Sequence, residues 1–433
     1  MLYLPHTMTL FRHHINKPVR SLYSSTSKLV LSSKTISPLW PIEEERSPHY
    51  NPRNYYPTRI GETIGKYHII SKLGWGANST AWLAKDTSCW PWQSTRYVTL
   101  KITNSGAEEK KAAEDELQIS QHISGLRSEH EGRGYVRLVQ HSFQIQGILG
   151  DHLCLVFEPL REPIWLLGRH LGSKGVPPQV LKAFLRVILC GLDFLHSECH
   201  VIHTDLKADN FLVGFEDATV LKEYVRQQEV HPAPHVLRNG RPVFESRNDF
   251  GPLKRGVGLL RISDFSAAVF GNVSTPHNHD IQPQPLSAPA VLLKAGWSYS
   301  ADIWNLGTVL WELFADETLF DGLSHKREGY SREVHIAQMI RLLGPPPSQF
   351  LNKCDPHIRN DLFSPQGTFK FPELIPSEEF NFSNMTPFLQ GEDQRLFIDF
   401  VRKMLQWEPE RRSCAKELYN DPWLNYNTSL YGI

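Results

Sequence analysis

The stretch VIHTDLKADNFLV, beginning at Val201, constrains this chain more than any other. Between His203 and Asn210 it crowds a histidine, two aspartates, a lysine and an asparagine, and apolar residues close it off on both sides. Burying polar groups costs free energy unless each finds a partner, and burying charges costs more. A chain that does so between two apolar segments is making either a polar turn between core strands or a catalytic loop.

The rest of the chain narrows the frame. Its 433 residues leave room for two or three domains. Lys+Arg and Asp+Glu both number 46, so the formal charge is zero and gives no global case for nucleic-acid or membrane binding. Hydrophobic residues make up 40%, enough for a sizeable core. The cysteines (89, 154, 190, 199, 354 and 414) form no CxxC pair, which argues against a zinc ribbon or disulfide framework and fits a reducing compartment. No apolar run reaches the roughly 18 residues of a membrane span, and no internal repeat is visible.

Residues 1–42 contain no Asp or Glu, are rich in serine, and carry Arg12, Lys17, Arg20, Lys28 and Lys34. Phe11, Ile15, Val19 and Leu22 fall at helical spacing, interrupted by Pro18. This composition reads as a mitochondrial transit peptide or as a disordered tail. Residues 43–65 turn acidic and then Pro/Tyr-rich, the pattern of an extended linker.

Periodic structure begins near Lys66. KYHIISKLGWG alternates and ends in glycines, as a strand entering a turn; STAWLAKD is the returning strand and YVTLKI (97–102) a third. EEKKAAEDELQISQHI is charged on one face and apolar at Leu117, Ile119 and Ile123, predicting a helix. HLCLVFE (152–158) predicts a buried strand, and PPQVLKAFLRVILCGLDFLHSE a long helix with proline near its start. Helical patterns dominate from Asp302 onward. The plan is α+β: a strand-rich part over 66–158 and a larger helical part over 159–428, joined near Glu158.

The chemistry begins at Gly74 and Gly76, which sit at a strand turn. A tight hairpin explains them as well as a phosphate-cradling turn of exposed N–H groups does. Lys101 lies in an otherwise apolar strand, either snorkelling at an edge or placed beside such phosphates. Glu116 on the next helix could hold that lysine. Asp264 ends an apolar strand and is a plausible Mg²⁺ ligand. Each feature alone is weak; their order along the chain leaves little room for coincidence.

That order resembles a eukaryotic serine/threonine protein kinase over residues 67–423. VTLK is similar to the strand-three lysine motif, HTDLKADN to the catalytic loop, DFS to DFG, and SADIWNLGTVLWELF to the helix whose aspartate braces that loop. WEPERRSCAKEL and DPWL resemble the C-terminal signature. GWGANSTAWLA, HTDLK with threonine for the usual arginine, SREVHIAQMIRLLGPPP and YNPRNYYPTRIGE resemble the SR-protein kinase family, especially its short fungal members.

The resemblance implies a bilobal kinase fold and roles for these residues. Asp205 would accept or orient the substrate hydroxyl proton, and Lys207 would contact the γ-phosphate. Asn210 and Asp264 would hold two Mg²⁺ ions, and His203 would brace the loop. Lys101, held by Glu116, would contact the α- and β-phosphates of ATP, under a turn made by Gly74, Trp75, Gly76 and Ser79. Adenine would sit between Leu73, Ala81 and Thr99 above and Leu212 below, with its edge read by backbone groups of Glu158 and Leu160. The implied partners are protein substrates of Arg/Ser type, with no direct nucleic acid or membrane contact and a monomeric chain. The implied compartment is cytoplasm and nucleus, with mitochondria as the alternative from the N-terminus.

Three departures bear on activity. Ser266 replaces the DFG glycine. Ala290 replaces the APE glutamate, so its usual partner, here Arg412, needs another acceptor. An insert at 214–258 stands where kinases usually place a short turn, and its Pro, Gly and Arg content predicts a mobile surface loop. These departures leave a pseudokinase scaffold as one alternative and a small-molecule phosphotransferase as another. The helix-rich region after Phe320 and the PERRSC ending argue for protein substrates over the latter.

Overall fold

The computed structural model describes residues 33–35, 40–48, 50–90, 92–173, 175–254 and 256–426. The transit-peptide reading of residues 1–42 therefore falls almost wholly outside the described residues. Strands β1 (Thr63–Ile64), β2 (Tyr67–Trp75), β3 (Ser79–Asp86) and β4 (Tyr97–Thr103) are followed by helix α1 (Ala107–Gly125), then by β5 (His141–Gln146) and β6 (Asp151–Phe157). The six strands form one antiparallel sheet in the order β1-β2-β3-β4-β6-β5. Its apolar face, with Ile69, Trp82, Leu100 and Val156, makes a small core of its own.

The second part is helical. Short α2 (Gly168–Leu171) precedes α3 (Pro178–Ser197), which buries Leu181, Leu185, Ile188, Leu192 and Leu195 along one stripe. Two strand pairs frame the stretch from His203 to Asn210. They are β7 (Val201–Ile202) with β12 (Val269–Phe270), and β8 (Phe211–Val213) with β11 (Leu260–Ile262). Helix α6 (Ser300–Ala315) is buried almost all round, which is why its sequence reads as nearly continuous hydrophobicity. It shares one core with α7 (Arg332–Leu343) and α10 (Gly391–Met404).

Two expectations are corrected. The insert is not a mobile surface loop. It forms α4 (Ala218–Val230), capped by Asp217, and a hairpin of β9 (His235–Arg238) and β10 (Arg241–Phe244). Although the insert leaves the helical part after β8, α4 packs Val220, Leu221, Tyr224 and Val225 onto Ile70 and Leu83 of the sheet. Burying such side chains is worth of order 1.5–3 kcal/mol each, an upper estimate, and enough to hold the segment down.

Nor is 43–65 merely an extended linker. Glu44 is 1% exposed, and its carboxylate meets the buried Lys72 and Arg241. Glu43 pairs with Lys72 at 3.3 Å, and the Lys72 ammonium also donates to the Phe244 carbonyl at 3.1 Å. Two carboxylates and two cations thus neutralise one another where the N-terminal extension, β2 and the insert hairpin meet. Without such pairing these burials would be prohibitive.

Candidate active site

The loop at Val201 is a turn between core strands and a cluster of chemical groups at once. Asp302 at the start of α6 organises it. Its carboxylate accepts the backbone N–H of His203 and of Thr204, each at 2.8 Å, and lies 2.9 Å from His196 Nε2. Asn305 Oδ1 accepts Leu206 N–H at 2.9 Å. His203, fully buried, sets Nε2 at 3.0 Å from the Ser263 carbonyl and Nδ1 at 3.3 Å from the Asp205 N–H. The brace expected of His203 is therefore made to both sides of the loop.

Two predicted residues, Lys207 and Asn210, gather at Asp205. Lys207 Nζ lies 2.7 Å from Asp205 Oδ2, and Asn210 Nδ2 donates to the Asp205 carbonyl at 2.8 Å and to Oδ2 at 3.3 Å. Using its NH₂ this way leaves the Asn210 amide oxygen for a cation. A second group converges from the sheet. Lys101 Nζ lies 2.7 Å from Glu116 and 2.7 Å from Asp264. Asp264 sits at φ 67°, a strained geometry for a non-glycine residue. Ser266 N–H reaches Asp264 Oδ1 at 3.4 Å, so serine still serves the following turn.

The electrostatics favour the charged forms of Lys101, Asp264 and Lys207. Burial favours neutral Lys101, but Asp264 and Glu116 outweigh it and raise its pKa. Burial pushes Asp264 up, yet Lys101 and Lys207 hold it far below the usual carboxylate range. Glu116 is raised, because its deep burial outweighs its pairing with Lys101. Lys207 is raised, with Asp205 and Asp264 overcoming its desolvation.

The nucleotide-handling candidates lie around this cluster. Gly74 and Trp75 end β2 opposite Ala81 and Thr80, and Gly76 N–H donates to the Ser79 carbonyl at 2.9 Å, closing the turn. A methyl group on Gly74 would meet nothing within 4 Å, so the space beside the turn is open to a phosphate chain. Leu73, Ala81 and Leu212 are only partly covered, which leaves apolar surface for a base to cover. Thr99 is 4% exposed and its hydroxyl has no partner among the described residues. Leu160 is buried in the connection. The Glu158 carbonyl already accepts Arg137 Nη2 at 2.6 Å and offers its second lone pair, while the Glu158 side chain turns to Arg261 at 3.1 Å.

Arg412 has found the acceptors that Ala290 cannot supply. Its Nε donates to the Gln406 carbonyl and Nη1 to the Ser300 carbonyl, each at 3.0 Å, and its guanidinium lies 5.1 Å from the Trp304 ring centroid. Nη2 remains without a partner among the described residues, and burial pushes the group down to about 9.

Sequence reasoning missed Arg161 entirely. This 2%-exposed residue, just after the connection, bonds both oxygens of Glu216 at 2.7 and 2.9 Å and Glu162 at 3.2 Å. It fastens the root of the insert beside the site. Its partner lies 55 residues away, a distance no local spacing rule spans.

Comparison with known proteins follows from this geometry. The protein kinase domain model matches residues 67–424. A serine/threonine protein kinase of Aspergillus fumigatus is 34% identical, over 97% of this chain and 98% of its own length. The serine/threonine-protein kinase SRPK of Physarum polycephalum is 30% identical over 89% and 92%, and mouse SRSF protein kinase 3 is 24% identical over 88% and 91%. A crystal structure of a kinase domain shares the fold, with a TM-score of 0.63 at 22% identity, covering 86% of this chain and all of that one.

Proposed function

The chain belongs to the protein kinase family and is a serine/threonine protein kinase, and from that premise we propose that it phosphorylates serine beside arginine in protein substrates, using ATP and Mg²⁺. The observation that carries the catalytic part is the pair of hydrogen-bonded triads, Lys101 with Glu116 and Asp264 and Asp205 with Lys207 and Asn210, coupled through the charges of Lys207 and Asp264. Mg²⁺ prefers oxygen ligands and keeps some for phosphates and water. Asp264 and the free amide oxygen of Asn210 fit that demand, and the ion would neutralise charge on the transferring group.

The chain's own groups do the remainder. Asp205 takes the hydroxyl proton of the acceptor serine. Lys207, kept charged beside it, offsets negative charge as the phosphoryl group moves. Lys101, clamped by Glu116, positions the phosphate chain. Phosphoryl transfer asks chiefly for in-line placement and fixed counter-charge, and these residues offer both without rearrangement.

Arg/Ser preference rests on the relatives named SRPK and SRSF protein kinase 3. The region after α6 tempers it. Residues 321–344 carry Asp321, Glu328 and Glu333 against Lys326, Arg327, Arg332 and Arg341. Asp321 accepts Gln338 Nε2 at 2.7 Å, and Glu333 faces Arg327 at 3.4 Å. A docking groove for arginine needs free carboxylates. We therefore expect weak, non-processive phosphorylation of long Arg/Ser repeats, with affinity falling as salt rises. Single-turnover labelling of a long Arg/Ser protein beside a one-site peptide tests this. One or a few phosphates per encounter are expected; many phosphates added before release would overturn the weak-groove reading.

A further inference from the structure

We propose that the cavity between the N-terminal extension and the tip of the insert hairpin binds a phosphate monoester, namely the phosphorylated side chain of a serine or threonine within a peptide. The cavity measures about 540 Å³, and no acidic residue lines it. Arg53, Tyr55 and Arg59 come from the extension, Ile148 from the β5–β6 turn, and Asn239 and Arg241 from the hairpin.

Arg241 is the fixed element. It is 5% exposed, donates from Nη1 to the Tyr50 hydroxyl at 3.1 Å and from Nη2 to Glu44, and lies 4.7 Å over the Tyr55 ring. Its Nε–H has no partner among the described residues. That atom is closed to the cavity as well, so what Arg241 brings to the wall is a guanidinium held in place by Tyr50, Glu44 and Tyr55. The charges behind Arg241 already cancel, since Glu43 and Glu44 balance Lys72 and Arg241.

Arg53 and Arg59 then add net positive charge at the rim. Both are exposed, and neither has an ion-pair partner among the described residues. The nearby Glu62 carboxylate takes the backbone N–H of Arg59 and offsets part of that residue's charge, while Arg53 has no such neighbour among the described residues. Three guanidinium groups around one space, one preorganised and two free to close, suit a dianion with several acceptor oxygens.

The size points to a phosphorylated residue with its neighbours. The volume falls in the range of small-ligand sites, ~300–1,000 Å³. Pro52, Pro57 and the 75%-exposed Ile148 offer apolar wall for flanking side chains. A nucleotide is disfavoured, because the aromatic face of Tyr55 that could stack a base is already covered by Arg241. The site is separate from the catalytic cluster and does not depend on the Arg/Ser reading.

The test is a fluorescence-anisotropy titration of the full chain under saturating Mg-ADP. The probe is a labelled phosphoserine peptide lacking arginine, compared with its unphosphorylated twin and with inorganic phosphate as competitor. Saturable binding of the phosphopeptide alone is expected. The exposed double variant R53A/R59A should weaken it by about tenfold or more, the loss of one charge-assisted hydrogen bond, while turnover of an unphosphorylated basic peptide stays at the wild-type level. Equal binding of both peptides, or unchanged binding by R53A/R59A, would overturn the site. Competition by inorganic phosphate at the phosphopeptide's own affinity would overturn the peptide assignment. Kinase turnover is measured separately, so a failure of the catalytic reading would show there and not in the titration.

Discussion

The hydroxyls of Ser71 and Tyr224 meet at 2.9 Å inside the protein, across 153 residues of sequence. Tyr224 also donates to the Arg247 carbonyl at 2.6 Å, so Ser71 is the donor to Tyr224. The contact joins the insert helix to the first long strand of the sheet, while Arg161 anchors the same insert at its root. Because the insert starts in the helical part and ends its packing on the sheet, it bridges the two halves of the molecule beside the cleft.

Tyr224→Phe removes one oxygen and takes this partner from the Arg247 carbonyl and from the buried Ser71 hydroxyl. The variant should lose ~1–3 kcal/mol of stability, read as a lower urea midpoint with an unchanged slope. An unchanged midpoint would mean that the insert is not held by this contact.

The parts legible in the sequence are those where chemistry forces residue types into short spacing. His203 to Asn210 is such a segment, and so is the lysine of VTLK; both could be read because loop and strand fix their neighbours. The insert was illegible for the opposite reason. Its anchors, Tyr224 to Ser71, Arg161 to Glu216 and Glu44 to Arg241, pair residues 55 to 197 positions apart. One local signal was available. Asn239-Gly240 is a two-residue hairpin turn with both φ positive, 51° and 81°, flanked by Val236-Leu237 and Pro242-Val243. The fate of Arg412 could not be read either, since its acceptors are backbone carbonyls, which no residue type advertises.

Asp205→Asn should retain ATP binding and lower turnover by about 10²–10⁴-fold, the usual worth of a positioned base. The near-isosteric amide keeps the contact to Lys207 possible, so loss of activity would report proton acceptance and not collapse of the loop. Lys101→Ala should also cripple turnover, by freeing Glu116 and Asp264 from their shared cation. Wild-type rates in Asp205→Asn, measured by steady-state ATP turnover, would remove the proposed role.

Activity should survive phosphatase treatment. Many kinases place an arginine before the catalytic aspartate to grip an activation-loop phosphate. Here Thr204 occupies that place, fully buried at φ 66°, with its hydroxyl donating to the Ala267 carbonyl at 2.7 Å. The segment is instead pinned by paired backbone bonds between His277 and Trp297, at 3.0 and 2.8 Å, and by the Trp297 indole donating to the His279 carbonyl at 2.9 Å. A loss of turnover after complete dephosphorylation would show that a phosphate is needed after all.

Ala290→Glu should leave the melting temperature flat or lower it. The sequence marks a missing ion pair, and on that ground alone repair would be stabilising. The structure changes the balance. Ala290 is fully buried in the main core, where added bulk costs typically ~1–3 kcal/mol. Arg412 already uses two carbonyls and the Trp304 face, so a new carboxylate could gain only the remaining Nη2. A clear rise in melting temperature by calorimetry would mean that the bare Nη2 outweighs the packing cost.

Acid should destabilise the helical half through His335. This residue is fully buried and faces the Tyr330 hydroxyl through Nδ1 at 2.9 Å, and desolvation pushes its pKa down to about 3. The unfolded chain takes up a proton near the ordinary histidine pKa, about 6.5, while the folded chain does not until about pH 3. Between those values the unfolded state holds the extra proton, so stability falls as pH drops, by at most about 1.4 kcal/mol per pH unit from this group. His335→Gln removes the titration and should flatten the curve between pH 6 and pH 4 relative to wild type, whatever it does to absolute stability. Parallel stability–pH curves for the two proteins, measured by urea unfolding, would assign the acid sensitivity to other groups.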